Sequence, residues 1–113
     1  NIDAILNLPD MTNQLVRELM QLEPFGNENP EPVFLIKNVM LLKQPVIFRD
    51  KHVKISIFAD GIIKPVIFFN RPELYRVFKD IADTPFDLVG SIIQNEWDGS
   101  VRTEINGIDI RIN

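Results

Sequence analysis

The sequence predicts a mainly β domain: five strands closing a small barrel, a helix between the third and fourth strands, and a further helix leading into the first. Three observations carry this. Apolar and polar residues alternate cleanly from His52 to Ala59, the period of a half-buried strand. Two hairpin signals, Asp60-Gly61 and Asp98-Gly99, each join a pair of apolar runs. One stretch, 70–83, changes to helical spacing between the third run and the fourth. Strand, strand, strand, helix, strand, strand is the order of an OB-fold, a partly open five-stranded barrel that often binds oligonucleotides. A small sandwich, or an SH3-like barrel with an added helix, is the rival; the mid-chain helix and a bend inside the first strand favour the OB-fold.

In chain order, Asn1 to Leu8 shows no period and reads as the tail of a linker. The chain opens at Asn1 without Met and reads as a piece of a longer protein. Pro9-Asp10 gives a helix start, with Met11, Leu15, Leu19 and Leu22 forming one apolar stripe. Pro24-Phe25-Gly26-Asn27-Glu28-Asn29-Pro30-Glu31-Pro32 then forbids both helix and central strand, because proline fixes φ and restrains the residue before it. It is a rigid joint, so residues 1–32 are expected to be a connecting segment and 33–113 the barrel. Val33 to Leu42 suggests one long first strand bent at Lys37-Asn38. His52 to Ala59 is the second. Ile62 to Phe69 is the third, with Pro65 confining part of it to an edge or bulge.

Asn70 is a candidate cap for the mid-chain helix, Pro72 suits its first turn, and Leu74, Val77, Phe78 and Ile81 form the stripe that would plug the barrel. Phe86 to Glu96 reads as the fourth strand, bent at Gly90. The fifth changes phase at Asn106-Gly107. A one-residue slip would turn Ile108, Ile110 and Ile112 outward unless a bulge absorbs it, so a bulge or sharp bend is expected there.

Composition excludes several classes of function. With no cysteine there is no disulfide framework or thiolate metal site, which fits a cytosolic origin. No apolar run reaches the roughly 20 residues of a membrane helix. His52 is the sole histidine, no glycine-rich phosphate loop occurs, and Asp60 and Asp98 sit in turns where Asp serves the backbone. No catalytic residue, metal ligand or cofactor is therefore assigned. The net charge of −4 hides a pattern: residues 33–82 carry nine basic and four acidic side chains, between two acidic ends. Such a block serves either as ordinary solvated strand faces or as a local positive surface for phosphate.

The second strand offers the best binding face. His52, Lys54, Ser56 and Phe58 share one side, a cation and an aromatic alternating as single-strand binders use them. Arg49 and Lys51 lie in the loop before it and Lys64 on the next strand. The same pattern also suits a solvated lysine beside a covered phenylalanine. Trp97, before the Asp98-Gly99 turn, reads as a packing cap on a hairpin end more than as a stacking platform.

Leu22 to Phe34, Leu-Glu-Pro-Phe-Gly-Asn-Glu-Asn-Pro-Glu-Pro-Val-Phe, closely resembles the Leu-x-Pro-Phe-Gly-x-Gly-Asn-Pro-x-Pro-x-Phe signature of the RecJ family of single-strand-specific 5′-to-3′ DNA exonucleases. Pro24, Phe25, Gly26, Asn29, Pro30 and Pro32 are the matching positions of the joint. His52-Val53-Lys54 looks like the family's His-Leu-Lys. Asn95-Glu96-Trp97-Asp98-Gly99 with Ile108-Asp109-Ile110 looks like its Asn-x-Trp-Asn-Gly and closing Asp-Ile, which adds Trp97 and Gly99 to the structural set. The chain departs from the pattern at Glu28, where the family has glycine, and at Arg49-Asp50-Lys51, where the glycine ahead of His-Leu-Lys is missing.

The resemblance implies a C-terminal OB domain that helps hold single-stranded DNA. The Asp-His-His centre that binds Mn²⁺ or Mg²⁺ would lie in catalytic domains absent from this sequence. It also implies a role in DNA repair and recombination in the cytoplasm, with other repair proteins as further partners. The alternative is a domain that clamps the catalytic core or docks a protein and touches no DNA.

Overall fold

The computed structural model describes residues 2–11, 32–97 and 99–112, with the side chains at 93–97 and 100–103 not described. The expected leading helix beyond Met11 and the joint residues Pro24, Phe25, Gly26, Asn29 and Pro30 lie outside the described residues; Pro32, at the joint's end, is buried. The elements are β1 (Ala4–Asn7), a single 3-10 turn (Leu8–Asp10), β2 (Val33–Leu41), β3 (Val46–Phe48), β4 (His52–Ala59), β5 (Ile62–Phe68), α1 (Leu74–Asp80), β6 (Phe86–Trp97) and β7 (Ser100–Ile112).

Five of these strands close a barrel. β2 pairs with β6, β6 with β7, β7 with β5, and β5 with β4. β4 returns to β2 through Met40 opposite Phe58 and Leu41 opposite Ile57. All of these pairs are antiparallel except β5 with β7, which meet in parallel at Val66–Ile105 and Ile67–Asn106. This is the OB-fold that the element order predicts. Because β5 meets β7 only there, Pro65 pairs with Ser56 of β4 but has no partner on the β7 side, where a missing N–H removes nothing from the ladder.

The barrel interior is filled by the inward set of β4, Val53, Ile55 and Ile57, together with Phe34, Ile36, Val66, Phe68, Phe86 and Leu88, all essentially buried. α1 closes one end. Leu74, Phe78 and Ile81 face the core, and the Phe78 ring lies 5.4 Å from Phe68 and 5.9 Å from Phe86. Each fully buried phenylalanine contributes roughly 1.5–3 kcal/mol over an exposed one. Asn70 does not cap this helix. It holds a left-handed turn (φ 57°) four residues ahead of it, and carbonyls of Arg71 and Pro72 accept the N–H groups of Leu74 and Tyr75 instead.

Two strands stand outside the expected plan. The segment read as a linker tail contains β1, which runs parallel to β2 from Ala4 opposite Phe34 to Asn7 opposite Lys37. Asp3 fastens its start: its N–H donates to the Val33 carbonyl at 2.7 Å, and its carboxylate accepts the Val33 N–H at 2.8 Å. Leu8 and Met11 then drop into the core. The other addition, β3, pairs with β4 and extends the sheet beyond the barrel.

Two bulges give the barrel its corners. In β2 the register slips between Ile36 and Val39, at the expected Lys37-Asn38 bend. Asn38 takes φ 54° there, and its N–H donates to Asp87 Oδ1 at 3.0 Å. Asp87 is fully buried, and its Oδ2 accepts Arg111 Nη2 at 2.7 Å and Nε at 3.2 Å. In β7 the bulge falls one residue past the expected slip: Val89 faces Asp109 and Gly90 faces Gly107, leaving Ile108 extra. Arg71 Nη1 donates to the Ile108 carbonyl across that kink. Gly107 is required by close approach, since a Cβ there would lie 2.4–2.6 Å from the buried Phe68 ring.

Candidate nucleic-acid interface

Cross-strand register builds the outer face row by row. Lys54 stands between Val46 of β3 and Ile67 of β5. Ser56 faces Pro65. Phe58 stands between Met40 of β2 and Ile63 of β5. Lys54, Val46, Ile63 and Pro65 are exposed, and Phe58, Ser56, Ile67 and Met40 are half-buried. The result is an apolar platform with an ammonium group in its middle. It suits a ligand with flat apolar rings strung on an anionic backbone.

The other expected residues fall around this platform unevenly. Phe48, Arg49, Asp50 and Lys51 form the tight turn between β3 and β4, closed by the Lys51 N–H to the Phe48 carbonyl at 3.3 Å. Arg49 and Asp50 take φ of 54° and 57°, so the turn keeps a left-handed shape without the glycine that the family pattern leads one to expect. Arg49 and Lys51 are exposed at the tip. Lys64 lies opposite Ile57, a fully buried inward residue, so the register puts it on the other side of the sheet from Lys54.

His52 is buried at the end of the face. Its ring sits 5.1 Å from Phe48 and 5.1 Å from Phe69, and Nδ1 accepts the Asn70 N–H at 3.0 Å. That bond requires a lone pair on Nδ1. Burial first, and the nearby cations Lys51 and Arg49 second, push the imidazole below its usual pKa, which agrees with an accepting nitrogen. Gly99 takes φ 78° at the β6–β7 turn, where Trp97 pairs with Ser100; the Trp97 side chain lies outside the description.

Sequence reasoning missed Phe48 and Phe69, which hold His52, and Val46 and Ile63, which widen the platform. Ile63 was within reach: a two-residue turn that sets Ala59 opposite Ile62 must set Phe58 opposite Ile63. Among the described residues no group of three or more His, Cys, Asp or Glu side chains is placed to hold a metal ion, and no helix is long and apolar enough to cross a membrane.

The closed barrel and its plugging helix define an OB-fold domain. Residues 2–109 match the family described as the RecJ OB domain, and the chain belongs to that family. It is 28% identical over 105 residues to the single-stranded-DNA-specific exonuclease RecJ of Bacillus subtilis, covering 92% of this chain and 13% of that protein. To the RecJ of Thermus thermophilus it is 29% identical over 118 residues, covering 96% of this chain and 15% of that one. The crystal structure of the Thermus thermophilus RecJ with Mg²⁺ superimposes with a TM-score of 0.58 at 26% identity, over 93% of this chain and 15% of that one. A mitochondrial single-stranded DNA binding protein of S. cerevisiae, Rim1, shares the fold at a TM-score of 0.52 and 14% identity, over 73% of this chain and 94% of that one. The chain thus spans about a seventh of the RecJ proteins it matches.

Proposed function

We propose that this domain guides single-stranded DNA for a RecJ-type 5′-to-3′ exonuclease, holding the strand on the outer face of β3, β4 and β5. The observation that carries this is Lys54, exposed at the centre of an apolar platform on a domain whose relatives are named single-stranded-DNA-specific exonucleases. Lys54 meets phosphate, Phe58 offers a stacking surface, and Arg49 and Lys51 extend the positive field from the turn. His52 serves by position, fixing the ends of β4 and β5 on which the face is built. Lys64, half-buried on the opposite side of the same sheet, does not join the platform. Hydrolysis, and the Mn²⁺ or Mg²⁺ it uses, belong to other domains of such a protein, acting in DNA repair and recombination in the cytoplasm with other repair proteins as partners.

Few cations face the strand, so binding should be weak and strongly salt-dependent. Titration of a labelled single-stranded oligonucleotide at low salt is expected to show saturable binding that Lys54→Ala weakens. No binding at low salt, together with unchanged activity of Lys54→Ala in a full-length RecJ-type enzyme, would remove the reading. One observation favours a second reading. The outer edge of β1 is unpaired among the described residues, with Ile2 and Ile5 exposed beside it. An apolar edge suits docking against another domain of a RecJ chain, and loss of exonuclease activity in Ile5→Lys with oligonucleotide binding intact would support it.

A further inference from the structure

At the Phe58 end the platform leads into a cleft that the strand-guiding reading does not use. Asn7, Leu8, Lys37, Asn38, Met40, Phe58, Ala59 and Asp60 line it, and its volume is about 450 Å³. That lies within the roughly 300–1,000 Å³ of small-molecule sites. Its walls come from three places in the chain: β1, the bulge of β2, and the turn between β4 and β5. Register sets Asn7 opposite Lys37, so an amide and an ammonium group stand side by side at one wall, both exposed. Phe58 lines the cleft and is shared with the platform. Asp60, in the turn between β4 and β5, also lines the cleft.

We infer that this cleft is a nucleotide subsite, where the single strand leaves the β4 face and seats one nucleotide against β1. The inference rests on the proposed strand-binding function and extends its path. The chemistry is that of a nucleotide unit. The Phe58 ring takes the base, Lys37 takes the phosphate, and Asn7 offers both a donor and an acceptor to a base edge or sugar. Asp60 repels phosphate, so the strand's backbone lies by Lys37 and its base by Phe58. The Asp87 carboxylate positions this wall, because it holds the left-handed Asn38 that turns β2 beside Lys37. The subsite depends on β1, so the binding surface includes residues N-terminal to the barrel strands.

The test is a nuclear magnetic resonance titration of the ¹⁵N-labelled chain with an oligothymidylate of about eight nucleotides, inside the ~4–16 range of OB domains. The backbone amides of Asn7, Lys37, Asn38 and Asp60 are expected to shift along with those of Lys54 and Phe58. Lys37→Ala is expected to weaken binding a few-fold and to reduce the slope of log K against log salt by about 0.7, the share of one single-strand phosphate. Lys37 is exposed, so its thermal midpoint should not move. Phe58→Ala should weaken binding on the order of tenfold. Shifts at Lys54 with silence at Asn7, Lys37 and Asn38, or an unchanged salt slope in Lys37→Ala, would overturn the subsite and leave the strand-guiding face standing. Absence of any binding would overturn both. Shifts confined to the cleft would remove the Lys54 face and with it the path by which the strand is proposed to reach the cleft.

Discussion

The two ends of the β4 outer face start from the same sequence pattern and finish in opposite conditions. His52 and Phe58 are both rings on the same side of one strand, six residues apart. At the His52 end, two phenylalanines and a backbone N–H close over the ring. At the Phe58 end, the neighbours are Met40 and Ile63, and the ring lines an open cleft. Strand alternation decides which way a side chain points. What arrives opposite it decides whether that side chain becomes structure or surface. The face is therefore read as anchored at one end and available at the other.

The largest expected effect tests the anchored end. His52→Ala removes the ring between Phe48 and Phe69 and the acceptor of the Asn70 N–H, so the thermal midpoint should fall by about 5–10 °C, followed by circular dichroism. Phe58→Ala, on the same face, should move it much less while weakening oligonucleotide binding more. Equal loss of stability from both substitutions would break the contrast between the two ends.

A smaller effect sharpens the same contrast through pH. The His52 pKa is held below its ordinary 6.5 by burial and by Lys51 and Arg49, and the unfolded chain titrates near that ordinary value. Above about pH 6.5 both states carry a neutral ring and the contribution to stability is complete. Below it the unfolded state takes up a proton first, so stability falls until the folded state also protonates at its lower pKa. The thermal midpoint should therefore decline from about pH 7 toward pH 5.5, ahead of the carboxylates, and His52→Gln should flatten that decline. A midpoint in the native sequence that rises or stays level over this window would show that the folded state does not favour the neutral ring.

Much of this was legible in the sequence where information is local. Alternation placed Val53, Ile55 and Ile57 inside and Lys54 outside, and Asp60-Gly61 fixed the hairpin, with φ of 51° and 80° at its two positions. The same hairpin arithmetic assigns Lys64 to the inward side, a consequence available from the turn length alone. The helical stripe found the barrel plug, and the phase change in β7 found its bulge to within one residue. The rest depends on partners distant in sequence. Three residues of β3 and four of β1 are too short to show a period, and β1 exists by pairing with a strand 30 residues away. The closure over His52 needs Asn70, and the cleft needs Asn7 beside Lys37; neither proximity leaves a mark on local pattern.

The smallest effect concerns the turn between the anchored end and the positive tip. Arg49 and Asp50 both hold φ near 55°, a conformation that costs L-residues about 1–2 kcal/mol in general and Asp somewhat less. Asp50→Gly removes that strain, and the greater entropy of glycine in the unfolded chain offsets part of the gain. A net stabilisation of about 0.5 kcal/mol follows, a rise of roughly 2–4 °C in the thermal midpoint. The substitution also removes the one acidic side chain between Arg49 and Lys51, so oligonucleotide affinity should rise at low salt and the gain should fade as salt screens it. Stabilisation without tighter binding would place the tip off the DNA path and confine the interface to Lys54 and the Phe58 end. Tighter binding that survives high salt would mean the turn acts through shape, holding the β3–β4 hairpin against the strand, and not through its charge.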